Sequence, residues 1–215
     1  AGTPAGNRCD EAAAGVYEQR EQDWRNGAVV YQVLVDRFAP PEHLDAKRHL
    51  YPSPKVLRCW DEVPRRGRYL PEAGLWSHEI EFWGGDLHGL AGRLDHVQAL
   101  GADVLYLNPV HLAGTNHKYD VFDHHRVSPE FGRREDLRAL AQNLHARGMK
   151  LVLDGVFNHM GRQAPVFKEA EAAYRAESTA AAAGSAYRHW FVFGPQYPGG
   201  ARCWWQVHNL PELNL

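Results

Sequence analysis

The feature that most constrains this fold is an apolar run that ends abruptly in polar side chains. It spans Met149 to His159, with the sequence MKLVLDGVFNH, and its polar end also contains Asp154 and Asn158. Such a run is typical of a buried strand in a parallel sheet, and α/β proteins place functional groups where these strands end. A plain Asp-Gly turn is the alternative, and these residues alone do not decide between the two.

Two further apolar segments predict two more strands of the same sheet. They are Val29–Phe38, with the sequence VVYQVLVDRF, and Ala102–Val110, with the sequence ADVLYLNPV. A helix ended by Gly148 is predicted before the third strand. The helix before the second strand has one apolar face, formed by Leu90, Leu94, Val97 and Leu100. The order β, long loop, α, β, loop, α, β predicts parallel strands joined by right-handed crossovers, too few to close a barrel.

The pattern divides the chain into three parts. Residues 1–26 predict a linker or N-terminal extension, residues 27–160 hold the α/β core, and residues 161–215 form an excursion out of it. Within the core, the stretch from Ala39 to Trp83 has six prolines and no clean period, and His111–Gly132 is a polar loop. Within the excursion, the Ala-rich stretch Glu169–Ala186 predicts a helix.

Charge and cysteine content exclude several classes of protein. With a net charge of -2 and intermixed acids and bases, the chain offers no basic stripe for nucleic acid. No run approaches the about 18 apolar residues of a membrane span, so no membrane partner is expected. Cys9, Cys59 and Cys203 contain no CxxC spacing, which indicates a reducing compartment. We therefore expect a cytoplasmic protein, or a secreted one if a signal peptide was removed.

The histidines invite a metal hypothesis. Of thirteen, His117, His124 and His125 lie near Asp120 and Asp123. Their spacing is not the helical i, i+4 spacing of zinc proteases, and neighbours on an extended chain point in opposite directions. Solvated loop histidines are therefore favoured over a zinc site.

Aromatic residues carry two interpretations. In the same loop as these histidines, Tyr119 could stack on the apolar face of a ligand or pack in the core. For Trp190, Trp204 and Trp205 we expect core positions, because tryptophan is highly buried on average.

Taken in chain order, six segments resemble the α-amylase family of glycoside hydrolases, family 13. They are VVYQVLVDRF, GGDLHGL, ADVLYLNPV, HKYDVFDHHRVSPEFG, DGVFNH and LPELN. The closing GSAYRHWFVFGP and CWWQVHNLPELNL are similar to the branch of cyclomaltodextrinases, neopullulanases and maltodextrin glucosidases. The resemblance implies an α/β fold: the first three βα units of a TIM (β/α)8 barrel at residues 27–160, with a domain B inserted after the third strand at residues 161–215.

The resemblance also implies an activity. Members act on α-glucosidic bonds with retention, using an aspartate nucleophile, a glutamate acid/base and a helper aspartate on the fourth, fifth and seventh strands. No match to those strands lies in this chain, so we expect it to supply only the substrate-side part of a glycoside hydrolase and to be inactive alone. The expected partner is an α-glucan oligosaccharide such as a maltodextrin or cyclodextrin, with a homodimer as a second expectation. An α-glucan transferase and a non-catalytic amylase-like barrel protein are the alternatives.

Four residues match the substrate-binding positions of the family. Tyr119 matches the aromatic residue that stacks on the sugar at the cleavage subsite, and Asp120 is its partner in the same loop. His159 matches the histidine that hydrogen-bonds a hydroxymethyl group. Asp154 matches the aspartate that orients an arginine beside the nucleophile on the fourth strand.

Calcium is a further implication of the resemblance. Asn158 matches a position that ligates a structural Ca²⁺ in many relatives, and amide oxygens suit that ion. The loop after DRF often carries a second calcium site in this branch, but here its sequence is APPEHLDAKRH, which is short of asparagines, although Asp86 is kept. No cofactor is required by the resemblance. Glu212 replaces the lysine that is frequent in the LPELN segment, which leaves the choice between hydrolysis and transfer open.

Overall fold

The computed structural model describes residues 15–16, 18–20, 22–176 and 185–215. In chain order its strands are β1 (Val30–Val33), β2 (Val56–Leu57), β3 (Tyr69–Leu70), β4 (Leu75–Trp76), β5 (Glu81–Phe82), β6 (Val104–Leu107), β7 (His111–Ala113), β8 (Val121–Val127) and β9 (Lys150–Leu153). The α-helices are α1 (Val35–Phe38), α2 (Leu44–Lys47), α3 (Leu87–Ala91), α4 (Leu94–Ala99), α5 (Arg134–Ala146) and α6 (Pro165–Arg175). Short 3-10 helices span Arg48–Leu50, Ser77–Glu79, Arg188–Trp190 and Trp204–Gln206. None of the helices in these ranges is long and apolar enough to cross a membrane.

The central sheet contains three strands in the order β1-β6-β9, and both pairs are parallel. The prediction of parallel strands joined by helical crossovers is confirmed. Val33, Leu107 and Leu153 stand side by side in the last row of the register. The residues that follow them therefore meet at one edge of the sheet.

Two expectations about these strands are wrong. The first strand ends at Val33 rather than at Phe38, because Val35–Phe38 turns into the short helix α1. The expected burial of all three strands holds only for the middle strand β6, whereas Val30 in β1 is 56% exposed and Leu153 in β9 is 42% exposed. The outer strands lack a neighbour on one side within the described ranges, which explains their exposure.

The main hydrophobic core lies between the sheet and the helices that connect its strands. The predicted helix before the third strand is α5, which buries Leu140 and Leu144. The helix predicted before the second strand is in fact two, α3 and α4, and its expected apolar face is only partly buried. Leu100 is 54% exposed, because it caps α4 just before Gly101 turns the chain away. The buried members of that face are Leu90, Leu94 and Val97.

The segment predicted as a polar loop, His111–Gly132, contains an antiparallel hairpin. Strands β7 and β8 pair with register shifts on both sides of Leu112. Polar residues therefore do not mean irregular backbone here, because alternate side chains of a hairpin can face water.

A buried carboxylate fastens the proline-rich stretch to the end of β1. Asp36 is fully buried and accepts hydrogen bonds from the backbone N–H groups of Trp83 at 3.0 Å and Gly84 at 3.0 Å. The next residue, Gly85, runs so close to α1 that a Cβ there would lie 2.4 Å from the carbonyl oxygen of Val35. Only glycine permits this approach, so the FWGGD turn is fixed against the sheet.

A second, smaller core lies in the C-terminal part of the chain. Its buried members are Met160, Ala164, Phe167, Ala170, Phe191 and Ala201. The predicted Ala-rich helix corresponds to α6, which ends at Arg175, and residues 177–184 lie outside the described residues. Residues 1–14 of the predicted extension also lie outside them. The domain boundaries at 26 and 160 stay predictions.

The anchoring role of Asp36 leads to a stability prediction. The change Asp36→Ala leaves two buried backbone donors without an acceptor, so we expect the free energy of unfolding to fall by about 2 kcal/mol or more. Asp45→Ala is the matched control, because that side chain is 91% exposed and pairs only with Arg48 on the surface. It should change stability by less than about 0.5 kcal/mol. Urea unfolding of the full-length gene product measures both, and equal effects would contradict the anchoring role.

Candidate functional site

A cleft of about 920 Å³ opens at the sheet edge where the parallel strands end. Segment 154–159, which directly follows β9, forms its floor. Its walls come from three other segments: residues 69–79, the loop that carries His117 and Tyr119, and residues 204–210. The polar end of the Met149–His159 run therefore faces a cavity, as expected for the carboxyl end of parallel strands.

Tyr119 and Asp154 meet in this cleft. The hydroxyl of Tyr119 donates a hydrogen bond of 2.8 Å to Asp154 Oδ2. Burial raises the pKa of Tyr119, and the hydrogen bond to Asp154 raises it further, so the phenol stays a donor. Burial and the same carboxylate also raise the pKa of Tyr106, which lies on the neighbouring strand. Asp154 thus joins β9, β6 and the Tyr119 loop.

His159 lines the cleft as a buried imidazole, with 5% of its surface exposed. Its ring stacks on Trp204 at 5.3 Å, and its Nδ1 lies 3.2 Å from the side-chain amide of Asn158. If that amide donates to Nδ1, the proton sits on Nε2, which finds no hydrogen-bond partner of good geometry in the described part of the chain. Burial lowers the pKa of His159, and the nearby Tyr119 backbone and Glu212 oppose this only in part.

Asp120 does not face the cleft. It is buried, and its carboxylate accepts hydrogen bonds from the backbone N–H groups of Gly114 at 3.0 Å and Thr115 at 3.1 Å, and from the Thr115 hydroxyl. These contacts close the loop on itself. Asp120 is therefore placed to shape the loop that carries Tyr119, and its predicted role in substrate binding stays a prediction.

A second buried charge lies between the two cleft-facing residues of this loop. Lys118 has a left-handed backbone with φ of 63°, and its side chain is fully buried. Its ammonium lies 3.3 Å from Glu130 Oε2 and over the rings of Phe82 and Phe131. Burial lowers the pKa of Lys118, while the charge of Glu130 opposes that shift. Lys118 points into the protein, whereas its neighbours His117 and Tyr119 line the cleft.

One side-chain contact in the cleft was missed from the sequence. Glu79 Oε1 lies 3.2 Å from His117 Nε2, and its Oε2 accepts the backbone N–H of Trp76 at 2.6 Å. Burial alone would raise the pKa of Glu79, but these hydrogen bonds outweigh burial and lower it. Glu79 lies in a stretch without periodicity, and no pattern there distinguishes it from a surface acid.

The structure shows where the tryptophans and the loop histidines lie. The expected core position is wrong for Trp205, which is 82% exposed and stacks on Trp204, and for Trp190, which is 47% exposed. The histidines do not converge, since His124 lies 2.6 Å from the carbonyl of Val156 and His117 contacts Glu79. Within the described ranges no group of three or more His, Cys, Asp or Glu side chains could hold a metal.

The residues at the expected calcium positions do not fit the ion. Asn158 is exposed and contacts His159, without the about six to eight oxygen ligands that Ca²⁺ takes. In the loop after β1, the ammonium of Lys47 lies 2.8 Å from Asp86 Oδ2 and 3.1 Å from the carbonyl of Gly84. A cationic side chain therefore already meets these oxygens, and the structural calcium stays an untested prediction.

Comparison with known proteins adds the family. The alpha amylase catalytic domain matches residues 32–209. The chain belongs to the α-amylase family. It is 40% identical over 144 residues to a cyclomaltodextrinase from Bacillus sp, and 36% identical over 147 residues to the intracellular maltogenic amylase of Bacillus subtilis. These matches cover 67% and 68% of this chain and 22% of each relative.

Similarity to a solved structure supports the same family. The ligand-free cyclic α-maltosyl-(1→6)-maltose hydrolase from Arthrobacter globiformis superposes with a TM-score of 0.68 at 33% identity. The match covers 89% of this chain and 38% of that one. The resemblance found in the sequence is confirmed, and the family implies the TIM-barrel fold. Because the chain spans only part of each relative, the activity of the whole protein is a matter for proposal.

The buried cluster beside the cleft leads to a prediction about pH. The pKa of Glu130 is about 2 in the folded protein, below its ordinary 4.5, because Lys118, Lys55 and Ser128 outweigh the effect of burial. A carboxylate whose pKa is lower in the folded than in the unfolded protein stabilises the fold at pH values above its unfolded pKa. We therefore expect stability to fall as the pH drops from 4.5 towards about 2.

Urea unfolding across this pH range and at neutral pH measures the effect. Glu130→Gln should reduce the slope of stability against pH in the acid range. The control is Glu72→Gln, since Glu72 is exposed, and it should keep the slope of the parent. An unchanged slope in Glu130→Gln would contradict the assignment.

Proposed function

We propose that this chain forms the substrate-binding side of the active site of a retaining α-glucan hydrolase. In this proposal residues 27–160 are the first three βα units of the barrel, and residues 161–215 are the inserted domain B. The nucleophile and the acid/base of a retaining mechanism would come from strands outside this chain. The chain alone is then expected to bind sugar without cleaving it.

The observation that carries the proposal is the meeting of three different groups in one cleft. Tyr119 offers a ring held in place by its hydrogen bond to Asp154, and His159 offers a buried nitrogen beside it. A sugar ring has apolar C–H faces and a rim of hydroxyls. An aromatic face together with a few fixed polar groups is what such a ligand requires.

Each residue has a distinct part in this proposal. Tyr119 stacks on the sugar ring at the cleavage subsite. His159, kept neutral at neutral pH by burial, donates from Nε2 to a hydroxyl without bringing a charge. Asp154 fixes Tyr119 and is available to orient an arginine from the next strand. That arginine would give the charge of Asp154 an ion-pair partner at a site partly shielded from water.

The substrates we propose are maltodextrins, cyclodextrins or related α-glucans. Support comes from the relatives, which are named as a cyclomaltodextrinase, a maltogenic amylase and a cyclic α-maltosyl-(1→6)-maltose hydrolase. Transfer between glucans by the same site is the second candidate, because an aspartate-bound sugar can pass to a sugar hydroxyl as well as to water. We also propose a cytoplasmic location, supported by the similarity to the intracellular maltogenic amylase of Bacillus subtilis, and we propose a homodimer.

Hydrolysis of γ-cyclodextrin, pullulan and maltotriose by the full-length gene product tests the proposed activity. We expect release of maltose or glucose from at least one of them. Inactivity on all three would overturn the proposal, and formation of longer oligosaccharides from maltotriose would favour the transferase.

The role of Tyr119 gives a sharper prediction. Tyr119→Ala removes the stacking ring, so we expect affinity for maltose and its oligomers to fall by about tenfold or more, about 1.4 kcal/mol. Tyr119→Phe keeps the ring and loses only the hydrogen bond to Asp154, so its loss should be several times smaller. Isothermal titration calorimetry with thio-linked maltooligosaccharides, which resist hydrolysis, measures both.

Tyr197→Ala is the matched control, because Tyr197 is not among the residues that line the cleft. Its affinity should equal that of the parent. Equal losses in Tyr119→Phe and Tyr119→Ala would show that the ring contributes nothing beyond its hydroxyl, against the stacking role.

A further inference from the structure

A small hairpin in the proline-rich stretch supplies its own part of the cleft lining. Strands β3 and β4 pair antiparallel, with Tyr69 opposite Trp76. Both of these residues line the same cleft as Tyr119. At the tip of the hairpin, a Cβ on Gly74 would lie 3.7 Å from the ring of His208, so the hairpin meets the C-terminal segment there.

The hairpin presents an aromatic pair to the cavity. Trp76 is 48% exposed and Tyr69 is 49% exposed, and their ring centroids lie 5.7 Å apart in an edge-on arrangement. The Tyr69 ring thus packs edge-on against the indole, and Trp76 stays half exposed among the residues that line the cleft. Two large half-exposed rings in a concave site are a common feature of ligand-binding surfaces.

A hydrogen-bond network fixes this pair relative to Tyr119. Glu79 accepts the backbone N–H of Trp76 at 2.6 Å and contacts His117 Nε2 at 3.2 Å. On the other side of the imidazole, Nδ1 accepts the backbone N–H of Tyr119 at 3.1 Å. Because Nδ1 accepts, Nε2 carries the proton and donates to Glu79. The hairpin and the Tyr119 loop are therefore one connected unit.

The base of the hairpin is closed as well. Ser77 donates its backbone N–H to the carbonyl of Arg68 at 2.8 Å, and its hydroxyl accepts the N–H of Arg68 at 3.1 Å. The backbone that carries Trp76 is thus bonded on both sides. A ring held this way loses little conformational entropy on binding.

We propose that Trp76, supported by Tyr69, forms a second sugar-binding subsite, which stacks on a glucose unit of the same α-glucan that Tyr119 holds. The inference rests on the proposed function and extends it, since it assigns a chain-length preference to this cleft. The cleft volume of about 920 Å³ is near the upper end of about 300–1,000 Å³ for small-molecule sites, which leaves room for more than one sugar ring. Glu79 is then a positioning residue that sets the distance between the two rings.

The test compares a short and a long ligand on the full-length gene product. Isothermal titration calorimetry with thio-linked maltose and thio-linked maltohexaose gives the two affinities without hydrolysis. For Trp76→Ala we expect an about tenfold loss of affinity for the hexaose, about 1.4 kcal/mol, and no change for the disaccharide. Trp76→Phe should recover most of the loss, because it restores an aromatic face.

Trp24→Ala is the matched control, since Trp24 is 50% exposed and does not line the cleft. Its affinities for both ligands should equal those of the parent. An unchanged affinity of Trp76→Ala for the hexaose, or an equal loss for both ligands, would overturn the second subsite.

Tyr119→Ala separates the two proposals. If it weakens both ligands while Trp76→Ala weakens neither, the second subsite is wrong and the proposed function stands. If Tyr119→Ala weakens neither ligand, the proposed function itself fails, whatever Trp76 does.

Discussion

The hydrogen bond from Tyr119 to Asp154 is the contact on which the cleft depends. It joins the loop between β7 and β8 to the end of β9 across 2.8 Å. Burial raises the pKa of Tyr119, and the hydrogen bond to Asp154 raises it further, so the phenol is protonated and donates at neutral pH. Without this bond the ring of Tyr119 would lose the contact that ties it to the end of β9.

Buried charges make that hairpin end rigid. Asp120 accepts hydrogen bonds from two backbone N–H groups and a hydroxyl inside the loop, and Lys118 forms an ion pair with buried Glu130. Burying a charge costs free energy unless it is paired and hydrogen-bonded. Because Asp120 and Lys118 must each keep these partners to stay buried, the backbone of the loop is held in one conformation. The sequence HKYD therefore alternates residues that build the loop with residues that line the cleft.

The sequence predicted the parallel sheet from its apolar runs. The family resemblance, and not the strand pattern, grouped Tyr119, Asp154 and His159, and all three line the cleft. Neither predicted that Asp120 turns inward, since side-chain directions in a loop that contains a left-handed residue, here Lys118, follow from the backbone and not from periodicity. The contact between Glu79 and His117 could not be predicted for another reason. It joins residues 38 positions apart through a stretch without repeating pattern.

The C-terminal excursion, residues 161–215, sets the environment of His159. The chain returns at Glu212 to form a β-bridge with His159, and the backbone N–H of Leu213 donates to the carbonyl of Asn158 at 2.9 Å. This return places Trp204 over the imidazole. Covering the ring removes it from water and lowers the pKa of His159, which favours the uncharged imidazole. A histidine on an uncovered strand end would be solvated and titrate near its ordinary value, and its nitrogen would be occupied by water. The excursion thus leaves Nε2 of His159 buried and, within the described part of the chain, without a hydrogen-bond partner of good geometry.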